Sequence, residues 1–292
     1  MAICSGRTVI ITGAGGGLGR AYALAFAAAG ANVVINDIRA DAAQDVAGEI
    51  RASGGQAIAN SDDITTLATA QHIIDAALGA FGEVHVLVNN AGVLRDRMFI
   101  SLSEEDWDMV MRVHLKGHYC LANLLGRRWR DLAKAGTPVD GRIINTSSGA
   151  GLQGSVGQSN YSAAKGAIAS LTLVQAAELA RYGITANALA PAARTSMTES
   201  AMPDVVKKPE DDSFDAWAPE NVAPLVVWLG STESAHVNGQ VFESQGGRIS
   251  LGDGWRTGVT RDKGARWQVG EIGGAVAEIL AEAPKAQKVW GT

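Results

Sequence analysis

Thr12-Gly13-Ala14-Gly15-Gly16-Gly17-Leu18-Gly19 lies between a β-branched run, Arg7 to Thr12 (RTVIIT), and an Ala/Leu-rich stretch, Gly17 to Ala29. The run reads as a strand. The stretch reads as a helix that Gly30 ends. Strand, glycine-rich turn and helix in that order make a mould for an anion. The glycines let the backbone turn tightly and approach a pyrophosphate, and the helix N-terminus stabilises its charge. By itself the loop also fits a plain turn. Asp37 adds a second mark: it ends the next predicted strand, Asn32 to Asp37 (NVVIND), 18 residues after Gly19. A carboxylate there can hold the adenosine ribose hydroxyls and repel a 2′-phosphate. NAD is therefore favoured over NADP. Arg39 pulls the other way, since it could pair with that phosphate, but no Arg or Lys lies between Gly13 and Gly17.

Outward from this unit, strand and helix alternate. Helices are predicted over Ala40 to Ala52, Thr65 to Phe81, Ser103 toward Arg130, Ser159 to Tyr182 and Ala218 to Leu229. Strands are predicted over Gln56 to Asn60, Val84 to Asn89, Arg142 to Thr146, Ile184 to Ala190 and Gln240 to Glu243. Ser103 with Asp106 resembles a capping box at the start of the long helix. Short apolar strands separated by long helices mean parallel pairing and right-handed crossovers, so an α/β, doubly wound sheet. No linker or repeat interrupts it. Pro191 to Pro219 and Gln245 to Thr292 read as less regular.

Composition narrows the class. The 292 residues are 47% apolar and 19% charged, which is globular and long enough for a core that needs no disulfide or metal. A net charge of −5 argues against nucleic acid or an anionic membrane as the main partner. No metal-ligand motif is seen. Cys4 and Cys120 read as free thiols of a reducing compartment. The longest apolar stretch, Ala21 to Ala31, is too short for a membrane span. Met1 to Gly6 lacks the pattern of a signal peptide, so a cytoplasmic location is expected.

Tyr161-Ser162-Ala163-Ala164-Lys165 carries the second constellation. Tyr161 and Lys165 are four apart and share one helix face. Alone such a pair is common. Here Ser148 precedes it by thirteen residues, at the C-terminal end of a predicted strand, where α/β sheets place their sites. A tyrosine titrates near 10, and an adjacent ammonium should move it toward working pH. The Ser148 hydroxyl can then hold a substrate oxygen while Tyr161 moves its proton.

Together these residues resemble the short-chain dehydrogenases/reductases. The matching elements are TGAGGGLG (12–19), Asp37, Asp63, NNAG (89–92), Ser148 and YSAAK (161–165), in order over roughly residues 6 to 245. The resemblance implies a single Rossmann-type sheet of about seven parallel strands with helices on both faces, a homodimer or homotetramer, and hydride transfer with NAD. Residues 1–245 would form the NAD-binding domain, including a substrate loop at 191–219, with 246–292 packed on it as an extension. By family position Gly13, Gly17, Leu18 and Gly19 serve the cofactor, Asp63 and Ile64 flank the adenine, and Asn90, Ala91 and Gly92 line the ribose. Tyr161 is the acid/base, and Lys165 holds the nicotinamide ribose and lowers the Tyr161 pKa. The segment from Pro191 meets the carboxamide, with Thr195 and Ser196 both candidates.

Two positions depart from the family pattern. Asn-x-x-Gly in the long helix becomes His114-Leu115-Lys116-Gly117, and Pro-Gly becomes Pro191-Ala192. His114 is either a structural helix residue or the holder of a proton-relay water. In the second case, a ring that titrates near neutrality could take part in the pH profile. NNAGVLRDRMF (89–99), EDWDMVMRVHLKGHY (105–119), GQSNYSAAK (157–165) and PENVAPLVVWL (219–229) are similar to the (3R)-hydroxyacyl-CoA dehydrogenase domains of peroxisomal multifunctional enzymes of type 2. This implies oxidation of a 3-hydroxyacyl-CoA thioester, whose acyl group can be steroid-derived, with a free hydroxysteroid or a small ketone as the alternative substrate. A non-catalytic NAD-binding protein would not need the Ser148, Tyr161 and Lys165 set. Arg95 and Arg97 would flank the entrance, either for a CoA diphosphate or paired internally. Trp107, Trp217 and Trp228 read as core or interface residues. Trp255 and Trp267 read as a substrate cover or an oligomer contact.

Overall fold

A strand turns successive side chains to opposite faces of its sheet, so an unbroken apolar strand needs helices on both sides. The computed structural model describes residues 2–285 and 287–292. Besides short irregular turns, its elements are, in order, β1 (Thr8–Thr12), α1 (Gly17–Ala28), β2 (Asn32–Asn36), α2 (Ala40–Ala52), β3 (Gln56–Asn60), α3 (Leu67–Phe81), β4 (Val86–Asn89), α4 (Glu104–Met111), α5 (Gly117–Lys134), β5 (Gly141–Thr146), α6 (Gly149–Gln153), α7 (Ser159–Leu179), β6 (Ile184–Pro191), α8 (Ser196–Ala201), α9 (Ala223–Gly230), β7 (Val241–Gln245), β8 (Arg248–Leu251) and α10 (Val269–Glu282). The sheet order is β3-β2-β1-β4-β5-β6-β7-β8. All pairs are parallel except β7 with β8.

Alternation divides the core in two. Val9, Ile11, Val33, Ile35, Val86 and Val88 face α1, α2 and α9, with Tyr22 and Phe26 among them. Ile10, Val34, Leu87 and Ile143 face the other way, onto Ile73, Leu121, Leu125 and Trp129 of α3 and α5. Cys4 lies in the first core and Cys120 in the second, both unpaired and buried. Trp228 packs against the first core from its edge.

The order in which strands are added to the sheet reverses between β1 and β4, which opens a crevice at the strands' C-terminal ends. Register fills that edge. Thr12 lies beside Asn36, Ile11 beside Val88, and Asn89 beside Asn145. The chain therefore leaves β1 at Gly13, β2 at Asp37, β4 at Asn90 and β5 at Ser147, all on one rim.

Three expectations change. The long helix is broken: a π-helical turn, Arg112–Lys116, separates α4 from α5, and it carries His114. Ser103 caps α4 by accepting from Asp106 N–H at 3.1 Å. The less regular regions contain α8, β8 and α10. β8 follows β7 through Gly246-Gly247, with Gly246 at φ 53°, a hairpin signal that the parallel pattern before it had masked. Ala218 to Leu229 is a 3₁₀ turn, Pro219–Asn221, followed by α9. Among the described residues, no helix is long and apolar enough to cross a membrane.

Candidate active site

The glycine loop closes against the turn after β4. Gly13 has φ +63°, and a Cβ on it would stand 2.8 Å from the Ala91 Cα. Thr12 Oγ1 accepts from the N–H groups of Asn90 and Ala91, both at 3.0 Å. Asn90 Nδ2 donates back to the carbonyls of Thr12 and Gly13. These bonds hold open a cleft of about 680 Å³. Gly13, Gly17, Leu18, Asp37, Asp63, Ile64, Asn90, Ala91, Gly92, Thr195 and Ser196 all line it. Gly19 is the exception among the predicted cofactor residues. It is packed beneath the loop, where a Cβ would lie 2.2 Å from the Gly13 carbonyl oxygen. Its role is to let α1 approach the loop, not to face the cleft.

Asp37 stands just past β2 and is nearly buried. Its Oδ2 accepts from Gly15 N–H at 3.0 Å, and its Oδ1 accepts from Arg39 N–H at 3.0 Å and Arg39 Nε at 3.2 Å. The Arg39 guanidinium is therefore engaged by the very carboxylate with which it competes. Asp63 caps the next turn through Thr65 and lies 3.8 Å from Arg112 Nη1. A loop that only glycine can form and an acidic group at the second strand end fit the pyrophosphate and ribose of a dinucleotide.

Leu18, Asn90, Gly92, Thr195 and Met197 are shared with a second cavity of about 360 Å³, lined also by His114, Ser148, Tyr161 and Lys165. Ser148 caps α6, accepting from Ala150 N–H at 3.2 Å. It lines the same cavity as the Tyr161 phenol and favours the ionised form of that phenol. Lys165 is buried, 5.5 Å from the Tyr161 ring centroid, and its Nζ donates to the Thr146 carbonyl at 2.6 Å. Such a set can pass a proton to or from an oxygen held at Ser148.

The electrostatics correct two expectations. Burial lowers the Lys165 pKa to about 7, so its positive charge is weak near neutrality. Tyr161 is not lowered. Burial raises its pKa, the Ser148 hydrogen bond opposes this, and the Asp96 carboxylate adds to the rise. His114 is also displaced, because burial and then the Lys165 charge lower its pKa to about 3. It is neutral at working pH, against the expectation of titration near neutrality. Its Nε2 lies 3.0 Å from the Val93 N–H and 2.8 Å from the Val93 carbonyl oxygen. Its Nδ1 is buried without a protein partner. The ring meets Tyr161 edge-to-face at 5.2 Å. Gly92 makes room for it, since a Cβ there would fall 2.3 Å from Cε1.

Residues outside the sequence prediction also reach the cavity. Asp96 lines it, with Oδ2 accepting from Gln158 Nε2 at 2.8 Å. Its flanking arginines turn elsewhere: Arg95 lies 3.6 Å from Asp106 and Arg97 donates to the Asp96 carbonyl. Trp217 and Trp290 line the same cavity. Trp255 is fully exposed, and Trp267 lies under the Lys263 ammonium. The only signal for Asp96 was the Arg-Asp-Arg run; nothing local marked Trp290.

A family model described as short chain dehydrogenase matches residues 7–205. A hydroxyacyl-CoA dehydrogenase, ChsB1, of Mycobacterium tuberculosis is 46% identical over 257 residues, covering 85% of this chain and 80% of that one. Peroxisomal multifunctional enzyme type 2 of Mus musculus is 44% identical over 259 residues, covering 86% of this chain but 32% of the mouse protein. A crystal structure of a short chain dehydrogenase from Mycobacterium avium superposes with a TM-score of 0.91 at 53% identity, covering 99% of this chain and 100% of that one.

Proposed function

The chain belongs to the short chain dehydrogenase family, and from that premise we propose that it interconverts a 3-hydroxyacyl-CoA thioester and the matching ketone with NAD. The observation that carries this reading is that Ser148, Tyr161 and a buried Lys165 line one cavity, which shares Leu18, Asn90, Gly92, Thr195 and Met197 with the glycine-lined cleft. Ser148 holds the substrate oxygen. Tyr161 takes the hydroxyl proton in oxidation and returns it in reduction. NAD, when bound, supplies the hydride acceptor, or the donor in its reduced form. Asp37 holds the adenosine ribose, Asp63 and Ile64 flank the adenine, and Asn90, Ala91 and Gly92 face the ribose. Lys165 donates to the nicotinamide ribose, its Nζ standing 5.5 Å from the Tyr161 ring centroid. Thr195 and Ser196 meet the carboxamide. His114 joins the proton path as a neutral ring: a buried nitrogen needs a partner, and a water between its Nδ1 and Lys165 provides one.

The substrate class is supported by the names of relatives 46% and 44% identical to this chain. A free hydroxysteroid is the second reading, favoured by the two tryptophans and two methionines, Met197 and Met202, that line the cavity. Residues 1–245 form the catalytic domain; of 246–292, β8 and Trp290 are attached to it, whereas α10 buries none of its residues. A turnover panel with NAD tests the choice. Hydroxyacyl-CoA esters should exceed free hydroxysteroids in kcat/KM by at least about tenfold, equivalent to about 1.4 kcal/mol. The reverse order would favour the second reading. Tyr161→Phe should retain NAD binding and keep less than a few per cent of turnover. Substantial activity in that variant would remove Tyr161 from the acid/base role.

A further inference from the structure

The C-terminal residues return to the catalytic cavity from outside the stretch that the family model matches. Trp290 pairs with Ser155 in an isolated parallel bridge. Val156 N–H donates to the Trp290 carbonyl at 2.9 Å, and Trp290 N–H donates to the Gly154 carbonyl at 3.2 Å. The tail is thus fastened by its main chain to the loop between α6 and α7. That loop sets the spacing between Ser148 at its front and Tyr161 behind it.

The indole then lies on Gly149, the residue after Ser148. A Cβ on Gly149 would stand 2.7 Å from Cζ2 and Cη2 of the ring, so the close approach depends on a missing side chain. Neighbouring contacts repeat the fit. A Cβ on Gly154 would meet Val289 at 3.4 Å, and one on Gly291 would meet Val156 at 3.2 Å. Yet Trp290 is not consumed by this packing. It remains 44% exposed and lines the cavity that holds Ser148 and Tyr161. A large aromatic face at a cavity wall beside the reacting oxygen offers apolar area to whatever substituent the alcohol carries.

We propose that Trp290 determines substrate specificity, its indole forming the wall that receives the apolar chain attached to the carbinol carbon. The inference rests on the reading of Ser148 and Tyr161 as the alcohol-binding pair. The ligand class is an apolar acyl or ring substituent extending past Gly149 toward the tail. Each methylene that it buries there should raise kcat/KM roughly fourfold, and shorter chains should gain nothing from the indole.

The experiment is steady-state kinetics over a series of 3-hydroxyacyl-CoA esters from four to sixteen carbons, with NAD affinity measured separately. Trp290→Ala keeps the main-chain fastening and removes the wall. It should lower kcat/KM for the long esters by about 10- to 100-fold, mostly through KM, while changing the four-carbon ester and NAD affinity less than about threefold. Trp290→Phe should restore most of the loss. Deletion of residues 289–292 should match Trp290→Ala or exceed it. Parallel chain-length profiles for wild type and Trp290→Ala would overturn the proposal, as would an equal loss on short and long esters. If the wild type turned over free hydroxysteroids and no thioester, the thioester reading would fail. Trp290 would then be judged on small against polycyclic alcohols by the same criterion.

Discussion

At the scale of single residues, Asp37 shows how one carboxylate does two things. It is positioned by Gly15 N–H to face the cleft, and it occupies the Arg39 guanidinium that could otherwise meet a 2′-phosphate. NAD should exceed NADP in kcat/KM by at least about tenfold. Asp37→Ala should shrink that gap, because it removes the repulsion and releases Arg39 together. Equal use of both cofactors by the unaltered enzyme would refute the assignment. Lys165 gives a prediction about stability. Its folded pKa of about 7 lies below the ordinary value of 10.5, so between these pH values the unfolded chain binds the extra proton. Stability from this residue therefore rises with pH across that window, and the cost of burying its charge is greatest below pH 7. Denaturant unfolding of the cofactor-free protein should show the wild type gaining about 2 kcal/mol relative to Lys165→Met between pH 7 and 9. No change in that difference would mean that Lys165 keeps its charge when buried.

Among elements, the π-helical turn is the one that alters chemistry. A π turn admits an extra residue into a helix and is often found at functional sites. Here it lies where α4 passes α7, and it carries the His114 ring to Val93 and to the edge of Tyr161. His114→Asn should keep most activity, since an amide also offers a donor and an acceptor. His114→Leu should lower kcat toward the lower end of the 10²–10⁴-fold range typical of acid–base steps, with little change in NAD affinity. Because His114 is neutral well above its pKa of about 3, the loss should be uniform over pH 6 to 9. A kcat profile for His114→Leu equal to that of the wild type would make the residue structural. α7 also exposes an apolar pair, Leu173 and Val174, about half accessible each, on the side away from the sheet.

For the whole molecule that exposed pair is the place to test for assembly. A homodimer or homotetramer would cover it by a symmetric contact. Light scattering should give a mass of two or four chains, and Leu173→Glu should lower it; a monomeric wild type would exclude the assembly. The arrangement of the sheet, the glycine loop, Asp37 and the Ser148, Tyr161 and Lys165 set were legible in the residues; the other candidate site positions came with the family resemblance. Short unbroken apolar strands, glycine turns and the Ser148, Tyr161 and Lys165 spacing are local signals, and parallel register then brings the strand ends to one rim whatever lies between them. Thr195 and Ser196, Asn90 to Gly92, and Asp63 with Ile64 reach the cleft for that reason. Local pattern could not say that Gly19 is packed beneath its loop or that Asp96 lines the cavity. Nor could it say that Tyr161 is raised and His114 lowered in pKa, because these shifts follow from how much chain, brought in from elsewhere, excludes water around each group. Trp290 is the extreme case. Its place beside Ser148 depends on the whole path of the chain through β8 and α10, so only the tertiary structure could bring the last residues of the chain to the reacting oxygen.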